Sequence, residues 1–293
     1  MNTLSIENPN LSFGFIGFGL IGGSVARCLR LLYPKSRILV MNRTMPHVEP
    51  ALKDGTADFA TDKIDESFRE CDVIFICTPV ARTEGCLKQL APLIKPESII
   101  TDVGSVKGAV CRCAKDLGLE TIFIGGHPMA GSERSGYANS SAQLLKNKPY
   151  VLTPFAMTPK EKLGFMKELV KRMGSRVITL SPEEHDMAVA GISHLPHLAA
   201  AALVRTVMDS DTKSKTMFAL ASSGFLDTTR VAASSSEMWE QIVQLNPEAV
   251  SHMLTLYIDS LSRLRDAIRD GRYEEVGKLF DTVRPYRESL DRR

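Results

Sequence analysis

The spacing of apolar residues changes character once along the chain. Over roughly the first 180 residues, short continuous apolar runs alternate with stretches of helical spacing, a pattern that predicts βαβ units and a mostly parallel sheet. The candidate strands are 12–17 (SFGFIG), 37–42 (RILVMN), 72–77 (DVIFIC), 98–102 (SIITD), 121–125 (TIFIG), 150–154 (YVLTP) and 177–181 (VITLS). Several are apolar throughout, as strands covered on both faces must be. Beyond Ser181 the strand pattern stops, and Ala, Leu, Met and charged residues recur at helical spacing. Ser181 offers a cap, Pro182 suits the first helical position, and Glu183 and Glu184 place acids in the first turn. Further helices are predicted at about 236–246, 247–270 and 272–290. The change marks a boundary near residue 181, giving an α/β Rossmann-type domain over 1–181 and an all-α domain over 182–293. No repeat, low-complexity tract or long linker separates them, so the two parts are expected to pack closely around a crevice.

Composition narrows the classes of function. With 293 residues, 44% hydrophobic and 24% charged, the chain matches an ordinary globular enzyme. A formal net charge of +2, with neither a basic stripe nor interleaved aromatics, argues against a nucleic-acid partner. The start, MNTLSIENPNLS, lacks the basic and apolar regions of a secretory signal, and no run reaches the roughly 18 apolar residues of a membrane span. A cytoplasmic location is therefore expected, with no membrane partner. The six cysteines lack paired metal-ligand spacing and are expected to be reduced thiols, with no metal site.

The stretch FGFIGFGLIGGS places Gly17, Gly19 and Gly22 in a GxGxxG pattern between a predicted strand and a predicted helix. There the turn needs a residue without a β-carbon, a pyrophosphate needs close backbone approach, and the helix N-terminus offers unpaired N–H groups. Gly17, Gly19, Leu20, Ile21 and Gly22 are thus candidate contacts for a dinucleotide. At the end of the second strand, where an acid would bind the 2′-hydroxyl of NAD, stand Asn42, Arg43 and Thr44. A guanidinium and a hydroxyl without a carboxylate suit a 2′-phosphate, which favours NADP. NAD remains the alternative, since Asn can serve a 2′-hydroxyl and Arg can stack on adenine. Thr78 and Pro79, in CTPV, either line the adenosine side or simply end a strand.

Four further motifs carry a resemblance: DVGSVKG (102–108), GGHPMAGSERSG (125–136), SHLPH (193–197) and GFLDTTRVAASSSEMW (224–239). In these residues, in motif order and over nearly its whole length, the chain resembles the prephenate and arogenate dehydrogenases of tyrosine biosynthesis. The resemblance implies oxidative decarboxylation of prephenate to 4-hydroxyphenylpyruvate with hydride transfer to NAD(P)+, and a homodimer formed through the helical domain. It also implies roles for individual residues. His127 would accept the hydrogen bond of the ring hydroxyl, and Ser105 would contact both that histidine and the nicotinamide, unless it merely caps the following helix. His197 would touch the substrate side chain and Arg230 would grip a carboxylate, the alternative for Arg230 being an ion pair with Asp227. Glu133 would stand at the pocket mouth or be a solvated loop acid, and Trp239 would shape the pocket or only pack.

The residues suit that chemistry. Histidine titrates near neutrality, and His127 lies at the carboxyl end of a predicted strand, where open α/β sheets bind ligands. His194 and His197 share a helix face, and Pro196 removes an N–H, so a kink is expected at the carbonyl of Ile192. His194 is also compatible with a satisfied core residue. Lys107 reads as a solvated lysine on the first turn of a helix. Three competing functions are an arogenate dehydrogenase, an NADP-dependent reductase that does not decarboxylate, and a dinucleotide-binding redox sensor. The reductase would want a lysine or acid beside SHLPH, and the sensor would need no substrate-binding arginine.

Overall fold

The computed structural model describes residues 4–131, 134–211 and 215–291. Its first part runs β1 (Ser12–Ile16), α1 (Leu20–Leu32), β2 (Arg37–Met41), α2 (Glu49–Lys53), β3 (Phe59–Thr61), β4 (Val73–Ile76), α3 (Val80–Leu90) and β5 (Ile99–Asp102). It continues through α4 (Gly108–Asp116), β6 (Phe123–Pro128), β7 (Pro149–Thr153), α5 (Lys160–Arg172) and β8 (Arg176–Thr179). These strands form one eight-stranded sheet in the order β3-β2-β1-β4-β5-β6-β7-β8. Among the described residues, only β6 and β7 pair antiparallel. The chain winds outward in opposite directions from β1 and β4, so a crevice opens at the carboxyl ends of those two strands.

Two differences from the sequence-based expectation matter for the site. β3 was not expected: it is three residues long and its Phe59 is exposed, so it lacks the apolar run that marks the other strands. β6 extends to Pro128 because its ladder with β7 continues past Gly125, pairing His127 with Val151 and Pro128 with Tyr150. His127 is thereby held on a paired strand rather than on a loop.

Both faces of the sheet are covered. Phe13, Phe15 and Phe75 pack against α1 and α5 on one side, Phe15 and Phe75 being stacked with ring centroids 5.2 Å apart. Ile74, Ile76 and Ile100 pack with Leu87 of α3 and Val110 of α4 on the other. Each such fully buried side chain contributes about 1.5–3 kcal/mol relative to exposure.

The remainder is helical: α6 (Pro182–Val189), a π turn (Ala190–His194), α7 (Leu195–Ser210), α8 (Thr216–Leu220), α9 (Ser223–Thr229), α10 (Ser236–Leu245), α11 (Pro247–Arg269) and α12 (Tyr273–Leu290). α6 starts with a reciprocal capping box between Ser181 and Glu184. The bend at SHLPH arises differently from expectation. Pro196 sits in the first turn of α7, and the helix widens into the π turn just before it, which absorbs the missing donor. From Pro182 to Ser210 the helical run spans 29 residues and is long and apolar enough, by length and composition alone, to cross a membrane. It nonetheless carries His185, Asp186 and His194, all buried. The helical part has a small core, Ala190, Ala249 and Val250, and leaves large apolar side chains exposed, among them Phe218 and Leu220 at 77% and 76%.

Candidate functional site

A cleft of about 1480 Å³ lies along the carboxyl edge of the sheet and is closed on one side by Glu237, Met238 and Gln241 of α10. It exceeds the ~300–1,000 Å³ of most small-molecule pockets. Gly17, Gly19, Leu20, Ile21, Asn42, Arg43, Thr78, Pro79, Ser105 and His127 all line it.

At one end is the glycine-rich turn. Gly17 has φ of +83°, and a β-carbon there would stand 2.9 Å from the carbonyl oxygen of Cys77. Gly22 packs α1 against the end of β4, where a β-carbon would lie 3.1 Å from that of Cys77. Around Gly19 there is open space within 4 Å. The first turn of α1 has no side-chain cap and no acid, so its N–H groups face the cleft uncommitted. This is the cradle a pyrophosphate requires, with the helix dipole adding attraction for anionic oxygens.

At the edge of the cleft, β2 and β3 pair Met41 with Thr61, and the residues that follow each strand, Arg43 and Lys63, both line the wall together with His47 and Asp62. The Asn42 side chain donates to the carbonyl of Thr44 at 2.8 Å, fixing the turn; Thr44 itself stands outside the cleft lining. Gly22 likewise acts from behind the lining.

At the other end is His127. Its Nδ1 lies 2.8 Å from Nε2 of His185, and Nδ1 of His185 lies 2.8 Å from Oδ1 of Asp186. His185 is fully buried. The Asp186 carboxylate accepts the backbone N–H of Lys107 at 2.7 Å and of Gly108 at 2.8 Å, so a residue of α6 caps α4 across the two parts of the chain. A β-carbon at position 108 would stand 2.8 Å from Oδ2 of Asp186, and only glycine leaves room for that approach. Burial pushes His127 well below the ordinary histidine range, and charge on His185, Lys107 and His194 would act in the same direction. His127 is therefore neutral near pH 7 and can accept a proton. Burial works to raise the Asp186 carboxyl, but hydrogen bonds from His185 and from the Lys107 and Gly108 backbone outweigh it and hold the group below the usual range.

Lys107 corrects the sequence reading. It is fully buried, its Nζ paired with Asp102 and donating to the carbonyl of Gly126 at 2.9 Å. Position 107 precedes the first residue of α4, and its side chain folds back beneath the ends of β5 and β6 instead of pointing to water. Ser105 also departs from the expected place: it lies in the loop between β5 and α4, three residues ahead of the helix, and the capping is done by Asp186.

The helical residues gather on another wall. The His197 ring lies tilted against Trp239 with centroids 4.4 Å apart, and His194 meets the same indole edge-on at 5.9 Å. His197 Nδ1 donates to the carbonyl of Ser193 at 2.8 Å, leaving its other nitrogen as an acceptor. His194 is buried, and burial, together with the positive charges His185 and His197 can carry, outweighs Asp186 and lowers its pKa to about 4. It is not a satisfied core residue, because His194 Nε2 and Trp239 Nε1 are both buried without a hydrogen-bond partner. Arg230 is exposed at the start of a 3-10 turn, Arg230–Ala233, that packs on α7, the helix of His197. His197, Trp239 and Arg230 are not among the residues that line this cleft, although Met238, Gln241 and Ile242 of the Trp239 helix are. Glu133 lies outside the described residues. Among the described residues no three His, Cys, Asp or Glu side chains cluster as metal ligands.

His185 and Asp186 escaped the sequence reading because 58 residues separate His127 from His185. One local signal existed: His185 is four residues before Val189, and both fall on the buried face of α6.

Residues 25–179 match the family model described as prephenate dehydrogenase, nucleotide-binding domain, and residues 181–282 match prephenate dehydrogenase, dimerization domain. The chain is 36% identical to a prephenate dehydrogenase of Bacillus subtilis over 94% of its own length and 74% of that protein's. It is 35% identical to a cyclohexadienyl dehydrogenase of Zymomonas mobilis over 88% of this chain and 89% of the other. Its fold matches a crystal structure of prephenate dehydrogenase from A. aeolicus in complex with hydroxyphenyl propionate and NAD+. That match has a TM-score of 0.90 and 32% identity, covering 98% and 99% of the two chains. Synechocystis arogenate dehydrogenase matches with a TM-score of 0.85 and 32% identity, covering 96% and 100%.

Proposed function

The chain belongs to the prephenate dehydrogenase family and is an NAD(P)-dependent dehydrogenase, and from that premise we propose how its residues divide the work. A bound dinucleotide supplies the hydride acceptor. Gly17, Gly19, Leu20 and Ile21 would hold its pyrophosphate, with Gly22 closing the helix onto the sheet, and Asn42, Arg43, Thr44, Thr78 and Pro79 would face its ribose and adenine. His127 accepts the proton of the C4 hydroxyl as that carbon becomes carbonyl-like, and returns it to the phenolate that remains once carbon dioxide has left C1. Ser105, which lines the same cleft, would contact both the histidine and the nicotinamide. His197 and Trp239 would border the pyruvyl side chain and Arg230 would hold a carboxylate by its planar fork. The observation that carries this reading is the sharing of one cleft by the glycine turn, Ser105 and a neutral His127.

NADP is the preferred cofactor in this reading and NAD the alternative. Support for NADP comes from Arg43, His47 and Lys63 on the wall past β2 and β3, none of which makes a salt bridge among the described residues. Prephenate is the substrate, and arogenate, with an amine in place of the side-chain ketone, is the close variant. The domain division at 181 follows the end of the sheet at Thr179 and the start of α6 at Pro182. The apolar side chains exposed on the helical part support a homodimer through that part, since monomers seldom leave so much apolar surface in water. The six cysteines, all free thiols, suit a reducing cytoplasmic setting.

The test is a four-way assay of prephenate and arogenate against NADP+ and NAD+, read by nicotinamide absorbance. Fast turnover of prephenate with NADP+ is expected. Preference for arogenate or NAD+ would overturn the finer assignments, and a lack of turnover in all four would remove the decarboxylating reading.

A further inference from the structure

We propose that His185 and Asp186, residues of the helical part, are positioning residues that fix the tautomer of His127 and share the charge of its protonated form. The proposal rests on the reading of His127 as the acceptor of the substrate's hydroxyl proton.

Donors and acceptors alternate along one line of atoms from Asp186 to His127. Asp186 is a carboxylate, already accepting two backbone N–H groups, and it can only accept from His185 Nδ1 at 2.8 Å. A neutral His185 protonated on Nδ1 has a bare Nε2, which can only accept. Its partner at 2.8 Å is His127 Nδ1, which must then carry the hydrogen. That leaves His127 Nε2 as the bare nitrogen, on a side chain that lines the cleft. With a neutral His185 every link has one permitted direction, so the carboxylate at the far end dictates which nitrogen of the near ring can act as base.

The same line stabilises the charged intermediate. When Nε2 takes the hydroxyl proton, His127 becomes an imidazolium whose Nδ1–H still points at His185 Nε2, and His185 is backed by the Asp186 carboxylate. Proton and charge balance locally, because the proton returns to the phenolate oxygen after carbon dioxide departs and none need leave for solvent.

Other charges face this line from every packed element. Lys107 and Asp102 stand beneath β5 and β6, His194 is on the π turn, and the Arg112 guanidinium of α4, like the Asp186 carboxylate, stands close to Gly108. Lys107 and His194 oppose a positive His127, which makes the negative end of the line the counterweight. Because Asp186 also caps α4, the base is set correctly only when the helical part is seated on the sheet.

Substitution at His185 tests this, with His127→Asn as the control for the underlying reading. His185→Phe fills the space but accepts nothing, and should lower kcat about 100-fold or more with KM and nucleotide affinity within about 3-fold. His185→Gln, whose amide oxygen can accept from His127 Nδ1, should recover most of that loss. The acid limb of the kcat profile should move to lower pH in His185→Phe, because a His127 without its neutral acceptor binds a proton less readily; a move to higher pH would mean that His185 acts on His127 as a repelling charge and would overturn the proposal. A merely structural role would change thermal stability or KM and leave that limb in place. Should His185→Phe not fold, Asp186→Asn carries the same expectation with a loss of about 10-fold or more. Wild-type kcat and an unmoved acid limb in whichever variant folds, with His127→Asn inactive, would overturn the proposal alone. Full turnover by His127→Asn would overturn the underlying reading as well.

Discussion

Replacing Lys107 with methionine should show that the floor of the cleft is a buried charge pair and not a solvated lysine with a long stem. Lys107 and Asp102 are both essentially inaccessible, and their side chains pair directly. Methionine keeps the length and removes the charge, leaving Asp102 in a buried setting with only the N–H groups of Gly104 at 2.9 Å and Gly126 at 3.1 Å. Removing one partner of such a pair costs about 3–5 kcal/mol. With roughly 2–4 °C lost per kcal/mol in a domain of this size, melting should fall by about 6–20 °C. Adding Asp102→Asn removes the stranded charge and should restore part of the loss. A second consequence is electrostatic: the Lys107 charge depresses His127, so its removal lets that pKa rise and moves the acid limb of kcat to higher pH. Calorimetry of the single and double variants, with the pH profile of whichever stays folded at the assay temperature, checks both. A loss under about 1 kcal/mol with no recovery in the double variant would refute a buried, mutually compensating pair.

Three other outcomes follow from the same geometry. Gly108→Ala should cost about 1–3 kcal/mol, because the added carbon displaces the Asp186 carboxylate from two N–H donors while improving helix propensity only slightly; a neutral melting shift would contradict this. Arg43→Ala should raise KM for NADP+ about tenfold and change that for NAD+ little, and equal effects on both would mean that Arg43 stacks on adenine instead. His194, with a folded pKa of about 4 against an ordinary 6.5, takes up a proton on unfolding. It therefore removes stability as pH falls from about 6.5 to about 4, and none above that window. His194→Gln should flatten denaturant-measured stability across that window by up to about 3 kcal/mol; an unchanged slope would mean the ring titrates normally.

What was legible in the sequence was local in origin. The glycine turn, the strands covered on both faces, the capped start of α6 and the helices near 236, 247 and 273 each follow from residues adjacent in the chain. Most of the misreadings involve distance. Lys107 looks solvated in a helical window, and only the return of its side chain under β5 and β6 finds it Asp102 and Gly126. β3 is held by pairing with β2 although its three residues carry little signal of their own. The π turn replaces a simple proline kink because the helix can widen ahead of Pro196. His185 and Asp186 read as polar residues in an early helical turn; their role exists only once α6 meets β6 and α4.

The most direct test of the account is the turnover of His127→Asn with prephenate at saturating nucleotide. A fall in kcat of about 10²–10⁴-fold, with KM and nucleotide affinity nearly unchanged, is the expected result for a base that acts in the transition state. A kcat within a few-fold of the unaltered enzyme would contradict it.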